Sequence, residues 1–551
     1  MRELRPTIGV VAVLTLLAVP HTGAAQPSAA SGWRAEVPDD PPPPLPRAPD
    51  MLAPATTVVR GEFTSVQVDV DGSGMNIVGD AANEPSLAVD PTDPDVMTIG
   101  WRHFFTTASN FRQAGVAYSA DAGQTWTFPG VLDPGQFRSD PVLAADATGN
   151  FYYSSLRPPN VSVFISTDGG VSWPTLTPAF GGDKQWLTVD ATGGQGDGHL
   201  YQIWDVQFSC CGSNDFTRST NGGASFESPL ALPTPNMKWG TLAVGADGTL
   251  YAAGSELVLT NGHLFTKSTN ARDSAQTPTF DPVQSISLGG TTGFGGAPNP
   301  AGLLGQVWIA ADHSSGPTAG NLYVLGSVDP PGADPLDVML IRSEDDGATW
   351  SAPVRVNDDP NGNEAWQWFG TLAVAPNGRM DAAWNDTRAD PTGSTSELYY
   401  AYSVDGGDTW AANVPLTPAF DHSLGYPNQN KLGDYYHMVS EDSHANLAYA
   451  ATFNGEQDVW FVRVAPDCNG NAVHDGTDIL NGTSTDVDGD AVPDECTPGV
   501  PALSPLGLAL LPVVLIAVAL RGRASRSGCA PAAPCGRDRG PSCASGAGPR
   551  S

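Results

Sequence analysis

Ionisable side chains recur at matching places through the middle of this chain. Glu84, Asp140, Asp183, Lys184, Glu364 and Asp434 each stand just before a short apolar run. Arg102, Arg157, Asp205, Glu256, Asp386 and Arg388 each stand just after the run that follows. Glu84, Asp140, Asp183 and Asp434 are the candidate catalytic carboxylates, because a carboxyl in a low-dielectric site can protonate a leaving group. Arg102, Arg157 and Arg388 could clamp a ligand carboxylate, since guanidinium pairs it bidentately. Lys184, Asp386, Trp101 and Trp384 complete the candidate ligand-binding set, and Trp204, Trp239, Trp366 and Tyr435 are close to it in sequence. No serine nucleophile motif accompanies any of the 9 histidines.

A repeated turn shows what must position these groups. SADAGQTW (119–126), STDGGVSW (166–173), STNGGASF (219–226), SEDDGATW (343–350) and SVDGGDTW (403–410) share the pattern S-x-[DN]-x-G-x-[ST]-[WF]. A worn copy, STNARDSA, occupies 268–275. A period of about 45–60 residues indicates a repeat architecture. The Asp or Asn can accept hydrogen bonds from its own turn, the Gly permits positive φ, and the final aromatic re-enters the sheet as an apolar plug.

The pattern resembles the Asp-box, or BNR repeat, of the sialidase superfamily over roughly Glu84–Val464. The resemblance implies an all-β propeller with the box between the third and fourth strands of each blade. Apolar first strands begin near Ser86, Pro141, Trp186, Thr241, Val307, Thr371 and Tyr436. They give seven units, against the six usual in the family, but only six fourth strands. Phe63–Val70, FTSVQVDV, alternates like a strand and is expected to supply the missing one, closing the ring and removing its open edge. Because strands alternate direction, the ionisable residues above should share one face and the repeated turns the opposite face. In the family an arginine cluster grips a carboxylate and a Tyr–Glu pair acts as nucleophile. The family's R-I-P motif is absent here; the nearest string is Leu156-Arg157-Pro158. The expectation is therefore a protein that binds an extracellular glycan or protein, with an exo-acting glycoside hydrolase as the alternative.

Composition narrows the field. The 551 residues contain 62 Gly and 49 Pro but only 15% charged residues, which suits a turn-rich β protein. A net charge of −33 without a basic stripe before the C-terminal tail argues against nucleic-acid binding. Residues 1–25 read as a secretory signal, with Arg2 and Arg5 before the apolar run 8–19 and small residues at 23–25. Residues 26–55 form a proline-rich linker, 56–466 the propeller, 467–497 an acidic module, 498–523 an apolar segment and 524–551 a tail. The protein is expected to be exported, held at a cell surface, and monomeric.

In the acidic module, Asp467, Asn469, Asn471, Asp475 and Asp478 occupy positions 1, 3, 5, 9 and 12 of a calcium loop, and Asp486, Asp488, Asp490 and Asp494 follow. The module resembles thrombospondin type 3 repeats and dockerin loops, departing from them at Ala472 and Ala491, where glycine is usual. Ca2+ is the expected cofactor, with a Cys468–Cys496 bridge tying the loops. Cys210 and Cys211 are adjacent and could be bonded or free. Val500–Leu520 carries no charge and is followed by Arg521, Arg523 and Arg526, a span long enough to cross a bilayer. Its layout resembles the IPTL or PEP type of bacterial C-terminal sorting signal.

Overall fold

The computed structural model describes residues 40–44, 51–256, 262–471 and 473–496. The expected export signal, most of the linker, the apolar segment 498–523 and the tail lie outside them. Among the described residues, no helix is long and apolar enough to cross a membrane.

Seven antiparallel sheets form a closed ring. The innermost strands are Ala81–Val89, Ser139–Ala145, Trp186–Val189, Met237–Val244, Trp308–Ala311, Gln367–Val374 and His437–Glu441, in blades 1 to 7. Each contacts the next, and the seventh contacts the first. These strands are apolar along most of their length because neighbouring blades cover both faces. The apolar cores lie between blades.

The chain's N-terminal part closes the ring as the alternating pattern predicts. Phe63–Gln67 pairs with Asp458–Val464 of blade 7, with Ser65 opposite Val462 and Gln67 opposite Trp460. Thr57–Arg60 adds a fifth strand outside it. Pairing also reaches back to Leu52–Pro54, opposite Met75–Ile77. The outermost strands of blades 1 and 3 are reduced to isolated bridges, Tyr118–Thr127 and Ala114–Leu132 in one and Phe216–Leu230 in the other. Prolines flank both stretches (Pro129 and Pro134; Pro229 and Pro233), and each removes a backbone donor that a ladder would need.

The repeated turns follow the third strands and satisfy themselves. Ser119 Oγ donates to Asp121 Oδ1 (2.8 Å) and accepts from Gly123 N (3.0 Å), while Asp121 accepts from Thr125 N (2.9 Å). The same bonds recur around Asp168, Asn221, Asp345 and Asp405. Each turn leans on the preceding blade. Gly123 lies against Phe461 and Gly347 against Phe265, both at positive φ (+77° and +81°), so a Cβ there would meet an aromatic ring. The terminal tryptophans pack at the same seams, Trp126 with its ring 5.4 Å from Phe461 and Trp350 with its ring 5.1 Å from Phe265.

The acidic module docks on the turn-bearing face of blades 6 and 7. Tyr402 Oη donates to Ala491 O (2.6 Å), and Arg379 Nη1 donates to Thr477 Oγ1 (2.8 Å) and to Asp442 O (2.7 Å). Disulfides join Cys468 to Cys496 and Cys210 to Cys211.

Candidate functional site

The first strands share an unusual backbone feature. Glu84, Asp140, Lys184, Trp239 and Phe369 have φ of +50°, +46°, +52°, +54° and +62°. Four of these five fall at register shifts, between Asn83 and Ser86, Ser139 and Val142, Lys238 and Thr241, and Trp368 and Thr371. A bulge of this type re-aims a side chain. Holding a non-glycine residue left-handed costs about 1–2 kcal/mol, so five repeats of it require compensating contacts.

For three of the five, the contacts are ionic. Lys184 Nζ stands 2.5 Å from Asp434 Oδ2, 3.2 Å from Asp140 Oδ1 and 3.7 Å from Glu84 Oε1. Arg102 Nη2 stands 3.2 Å from Glu84 Oε1, and Arg102 Nε donates to Asn83 Oδ1 (2.9 Å). Lys431 Nζ approaches Glu84 (3.3 Å) and Asp434 (2.7 Å). Backbone donors complete the set: Lys184 N bonds Asp140 Oδ2 (3.0 Å), and Leu303 N bonds Asp434 Oδ1 (2.8 Å). Asp183 Oδ1 also accepts from Lys184 N (3.1 Å). Glu84, Arg102, Asp140, Asp183, Lys184, Lys431 and Asp434 are all buried.

Burial and pairing split the carboxyls into two kinds. Burial pushes Glu84 up to about 7, against the pull of Arg102, Lys184 and Lys431. Burial and the neighbouring Asp140 push Asp183 well above the usual range. For Asp140 and Asp434 burial acts in the same upward direction, but the cations outweigh it, Lys184 foremost, and both lie below the ordinary value. Burial lowers Lys431, whereas Asp140, Asp434 and Glu84 outweigh burial at Lys184 and raise it.

The structure thus brings together Glu84, Asp140, Asp183, Lys184, Asp434 and Arg102. Arg157 is exposed at the end of its strand and donates to Gln136 Oε1 (2.8 Å). Arg388 belongs to a separate network on blade 6, with Asp386 Oδ2 at 2.9 Å and Asp358 Oδ1 at 2.5 Å, its guanidinium 4.4 Å from the Tyr399 ring centre. Trp101 is a core residue packed on Phe128 (5.0 Å). Trp384 is also buried, its indole N–H bonded to Asp386 Oδ2 (2.9 Å). Tyr435 Oη is bonded to Pro141 O (2.8 Å).

Two hub cations were not among the sequence candidates. Arg112 is buried, stacks over Phe137 (4.5 Å) and bonds Ser139 Oγ (3.1 Å). Burial lowers it to about 10, against the fields of Asp140, Asp183 and Asp434. It precedes a third strand, and starts of third strands lie on the same face as ends of second strands. Lys431 lies in the loop before Asp434, where no periodicity marks it.

In the acidic module, Asp478 Oδ2 accepts from Asn469 (3.2 Å) and Asn471 (2.8 Å), and Asp467 Oδ1 accepts from Gly470 N (2.7 Å) and Asn471 N (3.0 Å). Asp475 Oδ1 accepts from Cys468 N (3.0 Å). Carboxylate oxygens of Asp486, Asp488 and Asp494 lie within 4.8 Å of one another. Asp490 Oδ1 accepts from Val492 N (3.0 Å).

The ring and its hub define a seven-bladed β-propeller. No family model and no curated protein matches the chain. Among solved structures it is similar to a protein of unknown function from Dyadobacter fermentans, at 14% identity and TM-score 0.41, covering 74% of this chain and 98% of that one. It is also similar to a Trypanosoma rangeli sialidase, at 14% identity and TM-score 0.36, covering 75% of this chain and 60% of that one. A third is the phage phi92 endosialidase, at 11% identity and TM-score 0.43, covering 73% and 69%.

Proposed function

We propose that this propeller is exported, held at the cell surface by residues 498–523, and binds an extracellular glycan or protein on the face that carries the hub. One observation carries this reading. Glu84, Asp140 and Asp434 are answered by Arg102, Lys184 and Lys431 and shut away from solvent, while Arg157 and Arg388 stand apart from them. A hub paired in this way supports a rigid platform, and a ligand would then meet the more open Arg157, Trp366 and Arg388. The repeated turns are read as Asp-boxes, because their Ser–Asp–Gly–Thr hydrogen bonds are those the motif requires.

Glycoside hydrolysis is the second reading. What favours it is the pairing of Glu84, pushed up to about 7, with the depressed Asp434 and Asp140, an arrangement suited to one acid and one charged stabiliser. A glycan array run beside a hydrolysis assay on sialosides and other glycosides separates the two. The expected result is binding without turnover, with binding reduced in Arg157→Ala or Arg388→Ala. Turnover that disappears in Arg102→Ala or Glu84→Gln would replace the binding reading with the hydrolase.

The acidic module is proposed to take Ca2+. The convergence of Asp486, Asp488 and Asp494 supports this, as do the amides of Asn469 and Asn471 gathered at Asp478, which would present oxygen to an ion if rotated. Calcium binding measured on the full chain, and reduced in Asp478→Asn and Asp488→Asn, is the expected outcome.

A further inference from the structure

The channel along the ring axis holds a cavity of about 370 Å3, none of whose lining residues belongs to the ionic hub or the acidic module. Its walls come from the innermost strands of all seven blades. The hub groups Glu84, Asp140 and Lys184 stand at or before the starts of such strands. The cavity reaches the opposite ends, where Pro91 and Ala191 are exposed and Ala145, Thr188 and Val374 are half-buried. It therefore opens on the turn-bearing face, with its floor toward the hub.

Trp186, Trp308 and His437 form that floor. Trp308 stacks on His437 with ring centres 5.5 Å apart, and Trp186 meets the two edge-on, at 4.9 Å and 5.4 Å. A relay from blades 1 and 2 fixes the tautomer of His437. Leu143 N donates to Ser86 Oγ (2.8 Å), the Ser86 hydroxyl donates to His437 Nδ1 (2.8 Å), and Leu87 N donates to the same nitrogen (3.2 Å). A backbone N–H only donates, so Nδ1 carries the lone pair. Burial lowers the ring to about 4 and keeps it neutral, with its proton on Nε2. Among the described residues, neither His437 Nε2 nor the indole N–H of Trp186 or Trp308 has a hydrogen-bond partner. Both tryptophans are buried and line the cavity, so the cavity is what these N–H groups can reach.

Among the described residues, the lining contains no aspartate, glutamate, lysine or arginine. An ion brought here exchanges water for apolar walls without a countercharge, whereas a neutral molecule loses little. Apolar walls, a few polar groups on one side and a volume within the usual range of about 300–1,000 Å3 suit a small molecule. We propose that the axial cavity is a second binding site, for a small uncharged aromatic molecule that carries a carbonyl oxygen. Its ring lies against Trp186 and Trp308, and its oxygen accepts from His437 Nε2–H. This site lies away from the face proposed above for a glycan or protein, so either reading can fail without the other.

The test is a set of ligand-observed NMR titrations of the full chain at neutral pH with acetophenone, ethylbenzene and benzoate. Acetophenone is expected to bind. Ethylbenzene, which keeps the ring but lacks the acceptor, is expected to bind about three- to tenfold more weakly, and benzoate not to bind. His437→Phe is expected to bring acetophenone down to the level of ethylbenzene. Ala144→Leu, which takes up space in the cavity, is expected to weaken both. No binding of acetophenone to the full chain would overturn the proposal, and that result needs no folded variant. Equal affinity for ethylbenzene and acetophenone, or benzoate as the tightest ligand, would overturn it too. So would undiminished acetophenone binding in folded His437→Phe or Ala144→Leu.

Discussion

Lys184 of blade 3 and Asp434 of blade 7 form a 2.5 Å ion pair between blades that are not neighbours in the ring. The same ammonium reaches Asp140 of blade 2 at 3.2 Å and Glu84 of blade 1 at 3.7 Å, so one buried cation answers carboxylates from three other blades. Removing it leaves those charges without their main partner in a low-dielectric site. Lys184→Met is expected to lower the unfolding free energy by about 3–5 kcal/mol, read from urea unfolding. Adding Asp434→Asn should recover part of the loss, because the two substitutions act on one network.

Glu84 makes the hub sensitive to pH in a direction opposite to its partners. Its folded value of about 7 lies above the ordinary 4.5, so the folded state holds a proton that the unfolded chain releases. Its contribution is present in full below about 4.5 and is lost as pH rises through 7. Asp434 and Asp140 are depressed, so their contribution is present above the ordinary carboxylate range and is lost as pH falls through their folded values. Stability should therefore decline between pH 4.5 and 7, by on the order of 3 kcal/mol from Glu84. Glu84→Gln should make that limb shallower, with Asp183 and the other raised carboxyls supplying the remainder, and leave the acid limb in place. Denaturant titrations at fixed calcium across this range would show it.

The seven apolar first strands and the closing strand were legible because both carry patterns that burial dictates: uninterrupted apolar runs between blades and alternation at Phe63–Gln67. Strand direction was enough to put Glu84, Asp140, Lys184, Asp434 and Arg102 on one face. It fixes the face and says nothing about distance from the axis, which is why Arg157 and Arg388 were grouped with a hub they do not join. Trp101 and Trp384 were named for their type and place in sequence, but both side chains point into the packed seams. Arg112 and Lys431 were invisible for a different reason. One begins a third strand and the other lies in a loop, and only the folded ring brings them beside residues from blades 1, 2 and 7. The left-handed backbone at Glu84, Asp140 and Lys184 had no sequence signal, since glycine is absent from all three.

The repeated turns make a separate prediction about how blades adhere. Gly347 has φ of +81° and no room for a Cβ beside Phe265, whereas Gly61 has φ of +60° with nothing near. Gly61→Ala should cost only the left-handed backbone penalty, about 1–2 kcal/mol. Gly347→Ala adds overpacking against the neighbouring blade and should cost about 2–5 kcal/mol in all. Equal destabilisation of the two variants in thermal or urea unfolding would mean that the turn does not press on the seam.

Ring closure should rest on the strand donated from the N-terminal side. Phe63 is 7% exposed and belongs to the core shared by blades 6 and 7, while Val59 on the added outer strand is 60% exposed. Tyr449 Oη donates to Ser65 Oγ (2.6 Å) across a separation of 384 residues, a contact that only closure can form. Joining such distant segments carries a loop-closure cost that grows slowly with length, and burial of Phe63 is the main local gain that offsets it. Phe63→Ala is expected to cost about 3–5 kcal/mol, Tyr449→Phe about 1 kcal/mol, and Val59→Ala within about 0.5 kcal/mol. Hydrogen exchange adds a positional check: in Phe63→Ala, protection should fall first at Ser65–Gln67 and at their partners Trp460–Val462. Protection lost evenly around all seven blades would show instead that the ring opens only as a whole.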